Sequence, residues 1–168
     1  ELVEGKPLSE TIGQEVGPIP WEKASPMFFN ILDAVGHAHA HKKGVVHRDI
    51  KPENIMVTAD GIKVLDFGIA KDLSSSKTKT GTGMGTVDYM APEQYTDAKA
   101  VDQRADIYAL GMTLYEMLAG RLPWLDGTDS GVMIMDKGLE KIPPPTAFYP
   151  HIPPFIVAAV QRAIRKEP

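Results

Sequence analysis

The chain has 168 residues, which is enough for one domain with a core of its own. Its 18 basic and 22 acidic side chains give a formal net charge of −4, and this mild acidity argues against a dedicated nucleic-acid-binding protein. The sequence contains no cysteine, which excludes disulfides and thiolate metal sites, and no apolar run approaches the roughly 20 residues that cross a bilayer. We therefore expect a globular domain with no nucleic-acid partner and no membrane segment in this chain.

Two helices are predicted in the first part of the chain. Residues 8–17 favour a short helix, and residues 21–43 favour a long one because apolar side chains recur there at helical spacing. Gly44 is typical of the position just after a helix. The long helix is expected to pack in the core.

A β-hairpin is predicted after these helices. Residues 55–58 (IMVT) and 62–65 (IKVL) are short runs rich in β-formers, and residues 59–61 (ADG) are a turn signal between them. Because the two runs have equal length, antiparallel pairing brings their outer ends together. Those ends carry Asn54 and Asp66, and paired strands lie about 5 Å apart, so both side chains are expected to reach one small ion.

Two more polar residues, Asp49 and Lys51, lie on the loop that enters this hairpin. Amide and carboxylate oxygens such as those of Asn54 and Asp66 suit Mg²⁺, which keeps waters and phosphates as its other ligands. A carboxylate kept off the metal is able to accept a hydroxyl proton, and a lysine beside it neutralises charge on a moving phosphoryl group. The set indicates phosphoryl transfer to an alcohol.

The second half of the chain is predicted to be a polar loop followed by helices. Residues 74–85 are rich in Ser, Thr, Gly and Lys and poor in apolar residues, which is typical of a loop. Helical patterns follow at 103–119, at 130–139 and at 153–165. The expected fold class is mainly α with a small β-hairpin (α+β).

Three motifs in a fixed order resemble the signature set of protein kinases. They are His47-Arg48-Asp49 with Asn54 five residues after the aspartate, then Asp66-Phe67-Gly68, then Ala91-Pro92-Glu93. Lys51, two residues after Asp49, makes the loop similar to that of Ser/Thr kinases, and the runs GVVHRDIKPENIM and GTVDYMAPEQ most resemble bacterial members of the eukaryotic-like group. The resemblance implies the large, C-terminal lobe of a protein kinase.

The resemblance also implies a chemical role for each polar residue of the hairpin. Asp49 would be the catalytic base that accepts the proton of the substrate hydroxyl, and Lys51 would contact the γ-phosphate of ATP. Asn54 and Asp66 would hold Mg²⁺ or Mn²⁺. The implied ATP-binding residues are Glu1 and Val3 at the adenine edge, Met56 beneath the adenine, and Lys51 and Asp66.

An activation segment is implied over residues 66–93. Three threonines in it are expected to accept regulatory phosphates: Thr78, Thr80 and Thr82. A phosphate there adds about −2 charge and would dock on Arg48 and order the loop, whereas an unmodified, solvated loop is the alternative. Thr86 is expected to face the substrate.

Four residues are expected to support the site without reacting. His47 and Phe67 resemble members of a stacked apolar column, and Glu93 resembles an acid that pairs with an arginine beyond the last residue of this chain. Asp106 lies inside a mostly apolar helix, where a buried acid needs donors. By resemblance its donors are backbone N–H groups of the loop around His47 and Arg48.

The resemblance covers the whole chain but only part of the family fold. It implies one partial kinase domain over 1–168, with a hinge remnant at 1–8, the catalytic loop and hairpin at 44–68, the activation segment at 66–93 and a helical lobe at 94–168. The glycine-rich loop and strand lysine of the small lobe would lie before Glu1. We therefore expect the N-lobe to be absent from this chain and the chain alone to be inactive.

Two functions fit these observations. The first is a serine/threonine protein kinase that uses ATP to phosphorylate Ser or Thr of protein substrates, with self-phosphorylation in trans left open. Its kinase portion is expected in the cytoplasm, with any membrane anchor outside this chain. The alternative is a non-catalytic, stand-alone lobe that acts as a protein-binding module. The intact Asp49, Asn54 and Asp66 favour the enzyme, because a binding module needs no metal site.

Overall fold

A computed structural model describes residues 3–14, 17–42, 44–67, 87–96, 101–125 and 127–166. Helices dominate this part of the chain and the only sheet in it is small, which confirms the predicted class. In chain order the elements are strand β1 (Lys6–Pro7), helices α1 (Leu8–Gln14) and α2 (Trp21–Ala40), a 3₁₀ turn (Pro52–Asn54), strands β2 (Ile55–Thr58) and β3 (Gly61–Val64), helices α3 (Glu93–Thr96), α4 (Gln103–Ala119) and α5 (Ser130–Gly138), a second 3₁₀ turn (Pro145–Ala147) and helix α6 (Pro154–Ala163). Within the described ranges, no helix is long and apolar enough to span a bilayer.

The predicted hairpin is present, but its turn is one residue shorter than the sequence suggested. Thr58 pairs directly with Gly61, so the loop between β2 and β3 has two residues rather than three. Gly61 adopts a φ of 126°, which lets it close the hairpin from within the strand. As a result Asn54 lies opposite Leu65, whose N–H donates to the Asn54 carbonyl at 2.8 Å, and Asp66 is one position further along.

A third strand, which was not predicted from the sequence, pairs with the hairpin. Lys6 and Pro7 of β1 pair antiparallel with Val57 and Met56 of β2. Two residues are too short to show an alternating pattern, and one of them is a proline that offers no N–H to a ladder. The strand places the segment before α1 against the hairpin.

Helix α4 forms the centre of the helical part. Its bounds match the prediction, because the Asp102 side chain caps its first turn through the Arg104 N–H at 2.8 Å and Gly120 ends it with a φ of 71°. Thirteen of its 17 residues are buried, so the helix is enclosed on almost every side rather than along one stripe. Ile107, in contrast, is 48% exposed.

Close packing holds α4 against α6. A Cβ atom added at Gly111 would lie 2.8 Å from the Cβ of Ala163, so glycine is needed for the two helices to approach this closely. Helix α2 packs on the other elements through a buried row that runs from Ala24 through Phe28 and Ile31 to Val35. It ends at Ala40, earlier than the predicted residue 43. The helices thus share one packed core, and α2 also contacts strand β3 of the hairpin.

Candidate active site

A buried carboxylate on α4 fixes the backbone of the loop that carries the predicted catalytic residues. Asp106 is fully buried. Its Oδ2 accepts the His47 N–H at 2.8 Å and its Oδ1 accepts the Arg48 N–H at 2.7 Å. His39 on α2 supplies a third donor, with Nε2 at 2.7 Å from Oδ2. The three hydrogen bonds offset the free-energy cost of removing this carboxylate from water. Because two donors belong to the loop and the third to α2, the carboxylate connects the loop to both α2 and α4.

The contact made by His39 was not predicted from the sequence. It lies 67 residues before Asp106, at the polar end of α2 where a histidine normally faces solvent. The predicted partners of the aspartate were backbone groups alone. Only the folded arrangement of α2 beside α4 reveals this third donor.

Arg48 adopts a backbone conformation that residues other than glycine seldom take. Its φ is 67°, a strain that persists only where neighbouring groups enforce it. Asp106 holds the Arg48 N–H, and the buried Gln94 donates from Nε2 to the Arg48 carbonyl at 3.1 Å. The Gln94 Oε1 accepts the Ala91 N–H at 2.9 Å. One buried amide therefore links the catalytic loop to the motif that begins at Ala91.

The imidazole of His47 connects the catalytic loop to the end of β3. Its Nδ1 accepts the Asp49 N–H at 3.3 Å, and its Nε2 lies 2.7 Å from the Leu65 carbonyl oxygen. A carbonyl only accepts, so Nε2 carries the proton in this arrangement. The ring also meets Phe67 edge to face, with centroids 4.8 Å apart. The contacts align the two segments that carry Asp49 and Asp66.

Asp49, Lys51 and Asn54 come together in front of this support. The Lys51 Nζ lies 3.5 Å from the Asp49 Oδ1. The Asn54 Nδ2 donates to the Asp49 carbonyl at 2.8 Å and to its Oδ2 at 3.1 Å. The Asp49 side chain is 20% exposed, so it is oriented by its neighbours yet open to a small molecule. This is the placement required of a base that receives a proton from a bound hydroxyl.

Asp66 lies beyond the end of β3 in the left-handed region, with a φ of 58°. Aspartate tolerates this region better than most residues. Because the amide NH₂ of Asn54 is bound to Asp49, the amide oxygen is the atom that Asn54 presents to a cation. Across the described part of the chain, no group of three or more His, Cys, Asp or Glu side chains forms a metal site by itself. An amide oxygen and a carboxylate oxygen are ligand types that suit Mg²⁺, which retains waters and phosphates as its other ligands.

The structure describes only part of the predicted ATP-binding set. Met56 lies on β2, the central strand of the sheet, opposite Pro7. Val3 lies shortly before β1. Glu1 lies outside the described residues, as do Thr78, Thr80, Thr82 and Thr86. Glu93 begins α3 and is half-buried.

Two ionisable residues that the sequence did not single out, the half-buried Glu116 and the buried Lys137, lie next to the turn at residues 87–90. The Tyr89 hydroxyl donates to the Glu116 carboxylate of α4. Burial raises the pKa of Glu116 to about 7, and the hydrogen bond from Tyr89 opposes that shift. Burial likewise raises the pKa of Tyr89. Lys137 of α5 is the second group, and burial lowers its pKa to about 7.

The amino-acid sequence of the chain is similar to sequences of known proteins. The sequence profile of the protein kinase domain matches residues 1–158. The chain therefore belongs to the protein kinase family, as the three motifs predicted.

Several bacterial proteins are similar to the chain along its length. Serine/threonine-protein kinase PrkC of Bacillus subtilis is 42% identical over 171 residues, which cover 100% of this chain and 26% of that protein. A probable serine/threonine-protein kinase of Clostridium perfringens is 40% identical over 171 residues, covering 100% of this chain and 24% of its own length. Serine/threonine-protein kinase Pkn1 of Myxococcus xanthus is 39% identical over 175 residues, with 100% and 24% covered. The chain spans about a quarter of the length of these curated relatives.

Proposed function

We propose that the chain is the phosphate-transferring part of a serine/threonine protein kinase, which moves the γ-phosphoryl group of ATP to a Ser or Thr hydroxyl of a protein. The observation that carries this proposal is the contact set of Asp49. Its side chain faces the Lys51 ammonium and the Asn54 amide, on a backbone held by a fully buried Asp106. Membership of the kinase family and similarity to proteins named as Ser/Thr kinases support it.

In the proposed reaction, Asp49 orients the substrate hydroxyl and takes its proton. The hydroxyl oxygen forms a bond to the γ-phosphorus as the bond from that phosphorus to the β–γ bridging oxygen breaks, and ADP leaves with the electron pair. Lys51 lies on the same loop, where its ammonium offsets negative charge on the transferred group. Asn54 keeps Asp49 in place through the two hydrogen bonds from its amide.

We assign the metal-binding role to Asn54 and Asp66. When bound, Mg²⁺ or Mn²⁺ would neutralise charge on the phosphates of ATP. The register of the hairpin supports this assignment, since Leu65 pairs with Asn54 and Asp66 follows at once. Val3 and Met56 are proposed to meet the adenine together with Glu1.

Regulation is proposed to act through the loop before Ala91. Phosphates on Thr78, Thr80 or Thr82 would be recognised by the Arg48 guanidinium. In the structure that guanidinium donates to the Val101 carbonyl at 3.5 Å, a long bond that a phosphate would readily replace.

Thr86 is proposed to face the substrate, and other copies of the same kinase are candidate substrates in trans.

The activity is tested with the full-length protein that contains this chain, incubated with ATP, Mg²⁺ and a threonine peptide. We expect phosphothreonine in the product by mass spectrometry, and its loss when EDTA removes the metal. The alternative, a lobe that only binds proteins, predicts no phosphate on the peptide under either condition. We also propose that the kinase portion works in the cytoplasm, which fractionation of cells that express the tagged protein would check.

A further inference from the structure

Lys137 on α5 is a buried cation with no role in the chemistry described above. Its side chain is 2% exposed. Its Nζ donates to three backbone carbonyls, to Val87 at 2.6 Å, to Asp88 at 2.8 Å and to Met90 at 2.8 Å. All three belong to the turn at residues 87–90, which lies some 50 positions earlier in the chain. The ammonium therefore organises the backbone of a distant turn.

The surroundings of this ammonium are fitted to a charged lysine. An ammonium has three N–H donors and no acceptor, and here each donor has its own carbonyl. The rings of Trp124 and Tyr108 lie 5.2 and 5.4 Å from Nζ, within the range of favourable cation–π contacts. Burial lowers the pKa of Lys137 to about 7, and the carboxylate of Asp88 opposes that shift. Carbonyls, rings and carboxylate thus replace the water that the cation has lost.

The turn that Lys137 binds lies against the catalytic loop. Tyr89 and Met90 lie next to Arg48 and Asp49, around a crevice that is too narrow to hold a ligand. A second side chain also binds the turn, since the Tyr95 hydroxyl donates to the Val87 carbonyl at 2.8 Å. Without Lys137, the carbonyls of Asp88 and Met90 would lose the donor that the structure gives them. A substitution of Lys137 should therefore shift the 87–90 turn beside Asp49 without removing a contact of the Asp49 side chain.

We infer that Lys137 is a positioning residue for the protein substrate: by gathering the carbonyls of Val87, Asp88 and Met90 it shapes the turn on which the segment around the acceptor hydroxyl docks. This inference rests on the proposed kinase function and deepens it. Lys137 lies on the helical side of the 87–90 turn, whereas the proposed adenine contacts are on the sheet. Its effect should thus fall on the protein substrate and not on ATP.

The test uses the full-length kinase with Lys137→Met, which keeps most of the length of the side chain and removes its charge and donors. The matched control is Lys141→Met, the same change at an exposed position just after α5. Steady-state kinetics are measured against ATP and against a threonine peptide that the unmodified kinase has selected from a peptide array. We expect the KM for the peptide to rise at least about tenfold in Lys137→Met. The KM for ATP should stay within about twofold, and Lys141→Met should change neither constant.

A merely structural lysine would give a different pattern. It would lower the fraction of folded enzyme, and therefore the apparent kcat, while both KM values stayed unchanged. That outcome, or an equal rise of both KM values, overturns the inference. If Lys137→Met does not fold, Lys137→Gln keeps an amide with two donors and is measured in the same way. A rise of at least about threefold in its peptide KM supports the inference, and an unchanged peptide KM contradicts it.

Hydrogen exchange separates this inference from the kinase proposal, because it needs no activity. We expect amides in peptides that cover residues 87–96 to exchange at least about tenfold faster in Lys137→Met than in Lys141→Met. Equal exchange in the two variants overturns the positioning role. A protein that shows the faster exchange but phosphorylates nothing would contradict the proposed function and leave the Lys137 contacts established.

Discussion

The Oδ1 atom of Asp106 lies 2.7 Å from the backbone nitrogen of Arg48, and Arg48 has a φ of 67°. A fully buried carboxylate thus holds a strained residue immediately before Asp49. Asp106→Asn would turn one acceptor into an NH₂ group, which cannot accept, so at least one of the three donors around it would be unpaired. We expect a loss of about 1–3 kcal/mol in the free energy of unfolding and a lower kcat.

Urea unfolding and peptide kinetics measure the two effects. Asp33→Asn on the exposed side of α2 is the matched control and should change neither quantity. An Asp106→Asn protein as active and as stable as this control would show that the carboxylate does not constrain the loop.

Gln94 should couple the catalytic loop to the Ala91 motif. Gln94→Leu removes the donor to the Arg48 carbonyl and the acceptor of the Ala91 N–H, so both backbone groups lose the partner that Gln94 gives them. We expect about 1–3 kcal/mol of destabilisation, together with faster hydrogen exchange in both segments. Gln161→Leu on an exposed face of α6 serves as the control. Unaltered exchange in Gln94→Leu would rule out the coupling.

The pH dependence of stability should report Glu116. Its pKa rises from an ordinary 4.5 to about 7 in the folded protein, so between these values the folded state binds more protons than the unfolded state. The free energy of unfolding should therefore fall as the pH rises from about 4.5 to 7, by roughly 3 kcal/mol for this group. Urea titrations at pH 5, 6 and 7 measure the slope. Glu116→Gln should flatten it relative to the unmodified protein, and equal slopes would refute the assignment.

The proposed metal pair predicts a change in metal dependence. Asp66→Asn removes the negative oxygen ligand next to the Leu65–Asn54 pairing, so the Mg²⁺ concentration at half-maximal activity should rise at least about tenfold. Asp60→Asn makes the same change in the exposed turn of the same hairpin and should behave like the unmodified kinase. A normal Mg²⁺ dependence in Asp66→Asn would remove Asp66 from the metal site.

Phosphorylation of the segment before Ala91 is a separate prediction. Mass spectrometry of an active preparation should find phosphate on Thr78, Thr80 or Thr82, because each phosphate adds about −2 charge that Arg48 can pair. Thr80→Ala combined with Thr78→Ala should slow activation. An active enzyme with no phosphate between Ser74 and Thr86 would refute this mode of regulation.

The features that could be predicted from sequence are those with local signals. Helix α4 matched its predicted bounds because a capping Asp102 and a terminal Gly120 mark its ends. The hairpin was evident from two β-rich runs, but its turn length was wrong because Gly61 extends the strand while supplying the positive φ. The kinase family could be recognised because its motifs occur in fixed order.

The supporting contacts could not be predicted, because they join residues that lie far apart in the chain and belong to types that usually face water. His39 reaches Asp106 across 67 positions, Gln94 reaches Arg48 across 46, and Lys137 reaches Val87 across 50. A histidine, a glutamine and a lysine on helices read as surface residues in the sequence. Only the packing of helices around α4 turns them toward the Asp106 carboxylate and toward two backbone carbonyls.

The role of Asp49 as the base of a phosphate-transfer site is tested by Asp49→Asn in the full-length protein. Phosphate transfer to the peptide and binding of a non-hydrolysable ATP analogue with Mg²⁺ are measured on the same preparation. We predict that kcat falls about 10²–10⁴-fold while the affinity for the analogue changes little, since Asn54 and Asp66 remain. Transfer at the unmodified rate by Asp49→Asn would contradict the account.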